Sequence, residues 1–217
     1  MSSWDTIHLG GWPSASVTAV EAAALASETR QPVWATGAIL ARALIAAVRG
    51  APEEAHQRFE EAERIIFAGG MVNLLSVAAP AWGVAALAPG RPEEAFERLL
   101  NVYDGCHWFT HLERVWGISY LAEAATRAGE PQAADSVVAQ VEGLAEINPS
   151  IGLRVAATCA RALLAMQDEA DDRFAVAMAG PVAMLPFHRA RLQLAGGRYC
   201  DDAGGWRRRE VLCARRP

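Results

Sequence analysis

The sequence predicts an all-α protein, a solenoid of about five antiparallel helix pairs, and three observations carry that prediction. The first is a small-residue turn that leads into a helix start. It recurs as Gly50-Ala51-Pro52-Glu53-Glu54-Ala55, Gly90-Arg91-Pro92-Glu93-Glu94-Ala95 and Gly129-Glu130-Pro131-Gln132-Ala133-Ala134, whose final alanines are 40 and 39 residues apart. A weaker fourth copy, Asp168-Glu169-Ala170, ends 36 residues further on. Repetition on this scale marks stacked helix pairs, because one pair cannot bury its apolar face without neighbours. The second observation is composition: alanine is the commonest residue, strand-favouring residues are sparse, and Gly and Pro cluster between apolar stretches. The third is a small, large, small stripe at i, i+4 and i+7. Ala55, Phe59, Ala62 and Ala170, Phe174, Ala177 show it with an aromatic, and Ala95, Leu99, Val102 and Ala134, Val138, Val141 with aliphatics.

Taken in order, a leading helix is expected near Ser16 to Thr29, then the pair Pro32 to Arg49 and Pro52 to Phe67. The next pairs are Val72 to Leu87 with Pro92 to Asp104, His111 to Ala128 with Pro131 to Glu146, and Ile151 to Met166 with Glu169 to Ala179. A last helix, Pro186 to Tyr199, leads into an irregular end. Proline costs least in a first helical turn, where its missing N–H has no intrahelical partner to lose. Glutamates beside it favour the positive end of the helix dipole, so the turns have a physical reason as well as a pattern. The stripe and the pairing resemble the tetratricopeptide pattern, in which helix pairs pack into a right-handed superhelix, although these units exceed that family's period of about 34 residues. The expected organisation is one helical-repeat domain over 1–199 and an irregular basic end over 200–217, the form a truncated or frameshifted gene end would take.

Composition limits the chemistry. All 20 basic residues are arginine, so neither a phosphate loop ending in Gly-Lys-Ser/Thr nor a Schiff-base lysine can occur in the chain. With a formal charge of -5, non-specific nucleic-acid binding is not expected, and the basic tail from Arg207 to Arg209 with Arg215 and Arg216 reads as a solvated end. Cys106, Cys159, Cys200 and Cys213 have neither metal-ligand nor disulfide-framework spacing and read as reduced thiols. Residues Ile65 to Gly90 carry no charge, but Gly69, Gly70, Asn73, Pro80 and Pro89 interrupt them, so a loop and one buried helix are expected instead of a membrane span. The N-terminal residues lack a secretory signal pattern. A cytoplasmic location follows as the expectation, with no membrane association.

The densest polar cluster is Tyr103-Asp104-Gly105-Cys106-His107-Trp108-Phe109-Thr110-His111, in which Cys106, His107 and His111 could be three metal ligands. Its glycine and its position between two units favour loop packing over a metal site. Adjacent Cys106 and His107 do not orient toward each other as nucleophile and base, and the pairs Glu53/Glu54 and Glu93/Glu94 are explained as helix starts. No catalytic residue, cofactor or metal is assigned, and an enzyme is not expected. In a tetratricopeptide-like solenoid the first helices line the concave surface, which makes Trp34, Trp82, Trp116 and Tyr120, with His111 and Arg114 as polar companions, the candidates for a ligand or partner groove. The competing reading is that these aromatics fill gaps between neighbouring pairs.

The last third carries a more particular resemblance. Asp172-Arg173-Phe174-Ala175-Val176-Ala177-Met178-Ala179, Leu185-Pro186-Phe187-His188-Arg189-Ala190-Arg191-Leu192-Gln193-Leu194 and Gly197-Arg198-Tyr199 resemble the C-terminal helical-repeat region of large LuxR-family regulators of the actinobacterial, maltose-activator-like type. The likeness extends less sharply through Arg114-Val115-Trp116, Glu123-Ala124-Ala125 and Arg127-Ala128-Gly129. Such regulators join a nucleotide-binding module, a helical-repeat sensor and a DNA-binding helix-turn-helix, and only the middle part has a counterpart here. The resemblance implies a non-catalytic sensor domain that binds a small effector or a protein partner, with self-association as a further role. A free-standing adaptor of the same architecture is the alternative.

Overall fold

The computed structural model describes residues 3–103, 113–148, 150–166 and 169–202. Every element among them is helical. Helices α1 (Ser3–His8), α2 (Trp12–Glu28), α3 (Pro32–Val48) and α4 (Pro52–Ala68) are followed by a 3-10 turn, Val72–Leu74, and by α5 (Leu75–Leu87). Then come α6 (Pro92–Tyr103), α7 (Glu113–Ala128), α8 (Pro131–Ile147), α9 (Ile151–Leu164) and α10 (Ala170–Ala179). A second 3-10 turn, Pro181–Met184, leads into α11 (Pro186–Asp202). Helix α1 has no counterpart among the expected elements, and α2 begins at Trp12 because Pro13 fits its first turn. The expected Val72 to Leu87 helix divides into a 3-10 turn and a shorter α-helix.

The turns share one backbone device. After α3, the Gly50 N–H bonds to the Ala47 carbonyl at 3.1 Å and the Ala51 N–H reaches back to Ala46 at 3.0 Å. This paired closure requires a left-handed residue, supplied by Gly50 at φ 77°. The same two bonds recur after α1, α2, α4, α5 and α7, with Gly10, Arg30, Gly70, Gly90 and Gly129 at positive φ. The underlying period is therefore a helix and its turn every 20 residues from Gly10 to Gly90, half the spacing of the proline-containing copies. Three copies escape the Gly-x-Pro pattern: Arg30 stands in the glycine position, Gly70 precedes no proline at the next helix start, and after Gly10 the proline, Pro13, comes one residue later.

Helices α3, α5, α7 and α9 form a row in which each packs on the next, while α4, α6, α8 and α10 each pack on the row helix before them and the next helix in the chain. The small, large, small stripe is the buried stripe: Ala55, Phe59, Ala62, Ala95, Leu99, Ala134, Val138, Val141, Ala170, Phe174 and Ala177 are all buried, and Val102 is half-buried. The uncharged stretch becomes the end of α4, a turn and α5, whose residues from Ser76 to Leu87 are buried on every face. No described helix is long and apolar enough to cross a membrane.

Candidate functional site

The six candidate groove residues fall in different surroundings. Trp34 stands on α3 with 69% of its surface exposed. Trp82, on α5, is only 7% exposed and packs at 5.9 Å, ring centre to ring centre, from Phe59 of α4. Trp116 and Tyr120 share a face of α7, and Tyr120 is fully buried. His111 lies outside the described residues, as does the rest of the Asp104 to His111 cluster, and so does the Arg114 side chain. The structure thus brings Trp116 and Tyr120 together and gives Trp34 and Trp82 separate settings.

Trp116 is covered by the chain itself. The His8 ring of α1 stacks on it at 4.3 Å and the His188 ring of α11 at 4.5 Å. The two imidazoles meet at a hydrogen bond of 2.9 Å between His8 Nδ1 and His188 Nε2, joining residues 180 positions apart. Both are buried. Desolvation holds His188 well below the ordinary histidine range, and the nearby His8 and Arg191 push in the same direction, so this imidazole is neutral at pH 7.

Beside the stack, the Arg191 guanidinium lies 3.7 Å from the centre of the Tyr120 ring. Burial raises the Tyr120 phenol above its ordinary value, with the Arg191 charge opposing the shift. Glu123 of α7 accepts hydrogen bonds from Arg191, from Arg127 at 3.3 Å and from Arg198 at 3.4 Å, tying α11 to α7. Arg127 also donates to the Leu87 carbonyl at 3.1 Å and Thr126 to the Leu163 carbonyl at 2.7 Å, so the last turn of α7 satisfies the ends of α5 and α9. Burial pushes the Cys159 thiol up to about 12, leaving it protonated and a poor nucleophile. The space among Ser119, Glu123, Cys159, His188 and Arg191 is about 10 Å³, room for about one water at most.

Two larger recesses open elsewhere. One, of about 480 Å³, lies between α8, α9 and the start of α10. Its central cation is already engaged, since Arg161 donates to Glu142 at 2.9 and 2.5 Å and to Asp135 at 2.5 Å. The other, of about 460 Å³, is bounded by α4, the Val72–Leu74 turn, α5 and α6. Trp82, Val72, Leu75 and Val102 give it apolar walls, and Glu63, Arg98, Asn73, Ser76 and Asn101 add polar groups. This combination of apolar lining and a few convergent polar side chains is what small-molecule sites have in common, and the volume lies in their usual range of about 300–1,000 Å³. Among the described residues, no three His, Cys, Asp or Glu side chains stand together as a metal site.

Comparison of the chain with protein-family models, curated proteins and solved structures finds no match. Of the residues that build the Trp82 recess, only Trp82 was legible in advance. Arg98 and Glu63 belong to second helices, where charges read as solvated faces, and only the stacking of α4 beside α6 around α5 gives them a common recess. His8 had no periodic context at all.

Proposed function

We propose that this chain is a non-enzymatic, tetratricopeptide-like helical-repeat domain that binds a small effector, and that it serves as the sensor portion of a LuxR-type transcriptional regulator in the cytoplasm. The observation that carries the binding role is the Trp82 recess, which is open to solvent, mostly apolar and supplied with an arginine, a glutamate and two carboxamides. The row of α3, α5, α7 and α9 backed by their partner helices supports a repeat scaffold. The regulator reading rests on the sequence resemblance of residues 172–199.

A thermal-shift screen of sugars, amino acids, aromatic acids and short peptides against the whole chain tests the binding role, because a ligand of the folded state raises the unfolding midpoint by mass action. The expected result is a concentration-dependent rise with at least one small compound that Trp82→Ala diminishes. A flat screen overturns it. The regulator reading predicts that antibodies to this domain detect a polypeptide retained on immobilised ATP in cells that make it. Detection only of a 23.2 kDa product that does not bind ATP would instead favour the adaptor. Trp34, with its indole in solvent and Val33 exposed beside it, is the observation that favours a protein partner in that case.

A further inference from the structure

We propose that the Trp82 recess takes a free zwitterion, an α-amino acid with an aromatic side chain; this rests on the small-effector reading and names its ligand class. Glu63 of α4 and Arg98 of α6 both line the recess, with Arg98 Nη1 3.8 Å from Glu63 Oε1. A closed charge-assisted pair lies at about 2.7–2.9 Å. Arg91 with Glu94 at 2.6 Å and Arg161 with Glu142 at 2.5 Å reach such contact in this chain. The Arg98–Glu63 pair stands farther apart, like the surface pairs of Arg58 with Glu54 at 3.7 Å and Glu61 at 3.6 Å, and its side chains are 41% and 31% exposed. Opening costs little, because exposed pairs contribute little to stability.

The paired signs select the ligand. A simple carboxylate seated on Arg98 would lie against Glu63, and a simple amine seated on Glu63 would lie against Arg98, so either singly charged ligand meets a like charge a few ångströms away. A zwitterion sets each of its charges against the opposite one. Its side chain then has an apolar wall to cover, formed by Trp82, Val72, Leu75 and Val102. The wall is also aromatic: Arg98 sits 5.7 Å from the centre of the Trp82 ring, which keeps the guanidinium on that side of the recess. Asn73 and Asn101 supply neutral donors and acceptors beside the charges. The recess between α8, α9 and α10 has charges of both signs as well, but its Arg161 is already closed on two carboxylates.

Isothermal titration of the whole chain at pH 7 with L-phenylalanine, 3-phenylpropionate and 2-phenylethylamine tests the assignment, since the latter two each lack one charge of the first. L-Phenylalanine is expected to bind with a dissociation constant below about 1 mM. The singly charged analogues should bind at least tenfold more weakly, and Arg98→Gln and Glu63→Gln should each weaken L-phenylalanine by a similar factor. Both variants should keep the parent's circular dichroism and unfolding midpoint, which separates a binding role from a structural one. Equal affinity for either analogue, unchanged affinity in both variants, or no heat from any of the three compounds overturns the zwitterion assignment. The broader small-effector reading falls only if the thermal-shift screen is also flat.

Discussion

Arg30 occupies a backbone position that the other turns of this type give to glycine. Its φ of 54° places a side chain in the left-handed region, where an L-residue other than Gly, Asn or Asp costs about 1–2 kcal/mol. Arg30→Gly should therefore raise the stability of the chain by about 1 kcal/mol in urea unfolding, the gain in φ exceeding the added freedom of the unfolded chain. Gly50→Ala should lower it by a similar amount, because nothing within 4 Å of the new Cβ offsets the strain at φ 77°. An unchanged midpoint in both variants would contradict the account of the turns. The case also shows why only part of the repeat was legible: the pattern of letters at Gly50, Gly90 and Gly129 reports the backbone, whereas the turn at Arg30 uses the same hydrogen bonds with a residue that conceals it. His188 sets the pH response at this scale. Its folded pKa lies below the unfolded value of about 6.5, so the unfolded chain binds the proton first and stability falls as pH drops through that value. The loss is at most about 1.4 kcal/mol per pH unit, down to the folded pKa. Urea midpoints should consequently be lower at pH 5.5 than at pH 7.5, and His188→Gln should flatten the difference.

Helices α5 and α7 show what small residues accomplish between elements. A Cβ on Gly83 would stand 2.5 Å from Tyr120 Cβ and 2.9 Å from its Cγ, atoms fixed to the α7 backbone. A Cβ on Gly117 would collide with the Tyr103 hydroxyl and approach Ala79 Cβ at 3.2 Å. The contact thus consists of a glycine from each helix seated on the other's neighbours, and that is how a fully buried α5 packs against several partners at once. Gly83→Ala should cost about 1–3 kcal/mol through overpacking despite alanine's better helix propensity. The contrasting variant is Gly143→Ala on α8, where the added Cβ meets nothing within 4 Å, so propensity alone should stabilise by about 0.5–1 kcal/mol. Opposite signs in chemical denaturation are the expected outcome; stabilisation by both would refute the close approach. Here the sequence was informative about existence and location, since charge-free composition and the turn phase made α5 a buried helix. It was silent about Gly83, because a glycine in a helix reads as a weakness until the partner's Tyr120 is seen against it.

Across the described residues, contacts run mainly between helices one or two places apart in the chain, and α1 departs furthest from this by meeting the last helix. Ile7 is fully buried, and α1 touches α3 and α11 as well as α2. The start of the described chain is thereby joined to its last helix through His8, Trp116 and His188. A linear repeat array distributes stability among adjacent units, so loss at one end leaves the other unaffected. A molecule closed by α1 behaves differently. The double variant Ile7→Ala/His8→Ala should lose about 2–4 kcal/mol, because it opens a cavity beneath α1 and leaves His188 without its partner. Hydrogen exchange locates that loss. Amides of α11 and the C-terminal half of α9 should exchange faster in the variant, although they lie more than 140 residues from the substitutions, while those of α4 and α6 should keep their protection. Faster exchange confined to α1 and α2 would mean that the array is linear and that the stack on Trp116 adds no coupling. No periodicity could have announced this closure: the turns specify neighbours, but a contact between residues 8 and 188 depends on the accumulated rotation of every pair between them, which the sequence records at no single position.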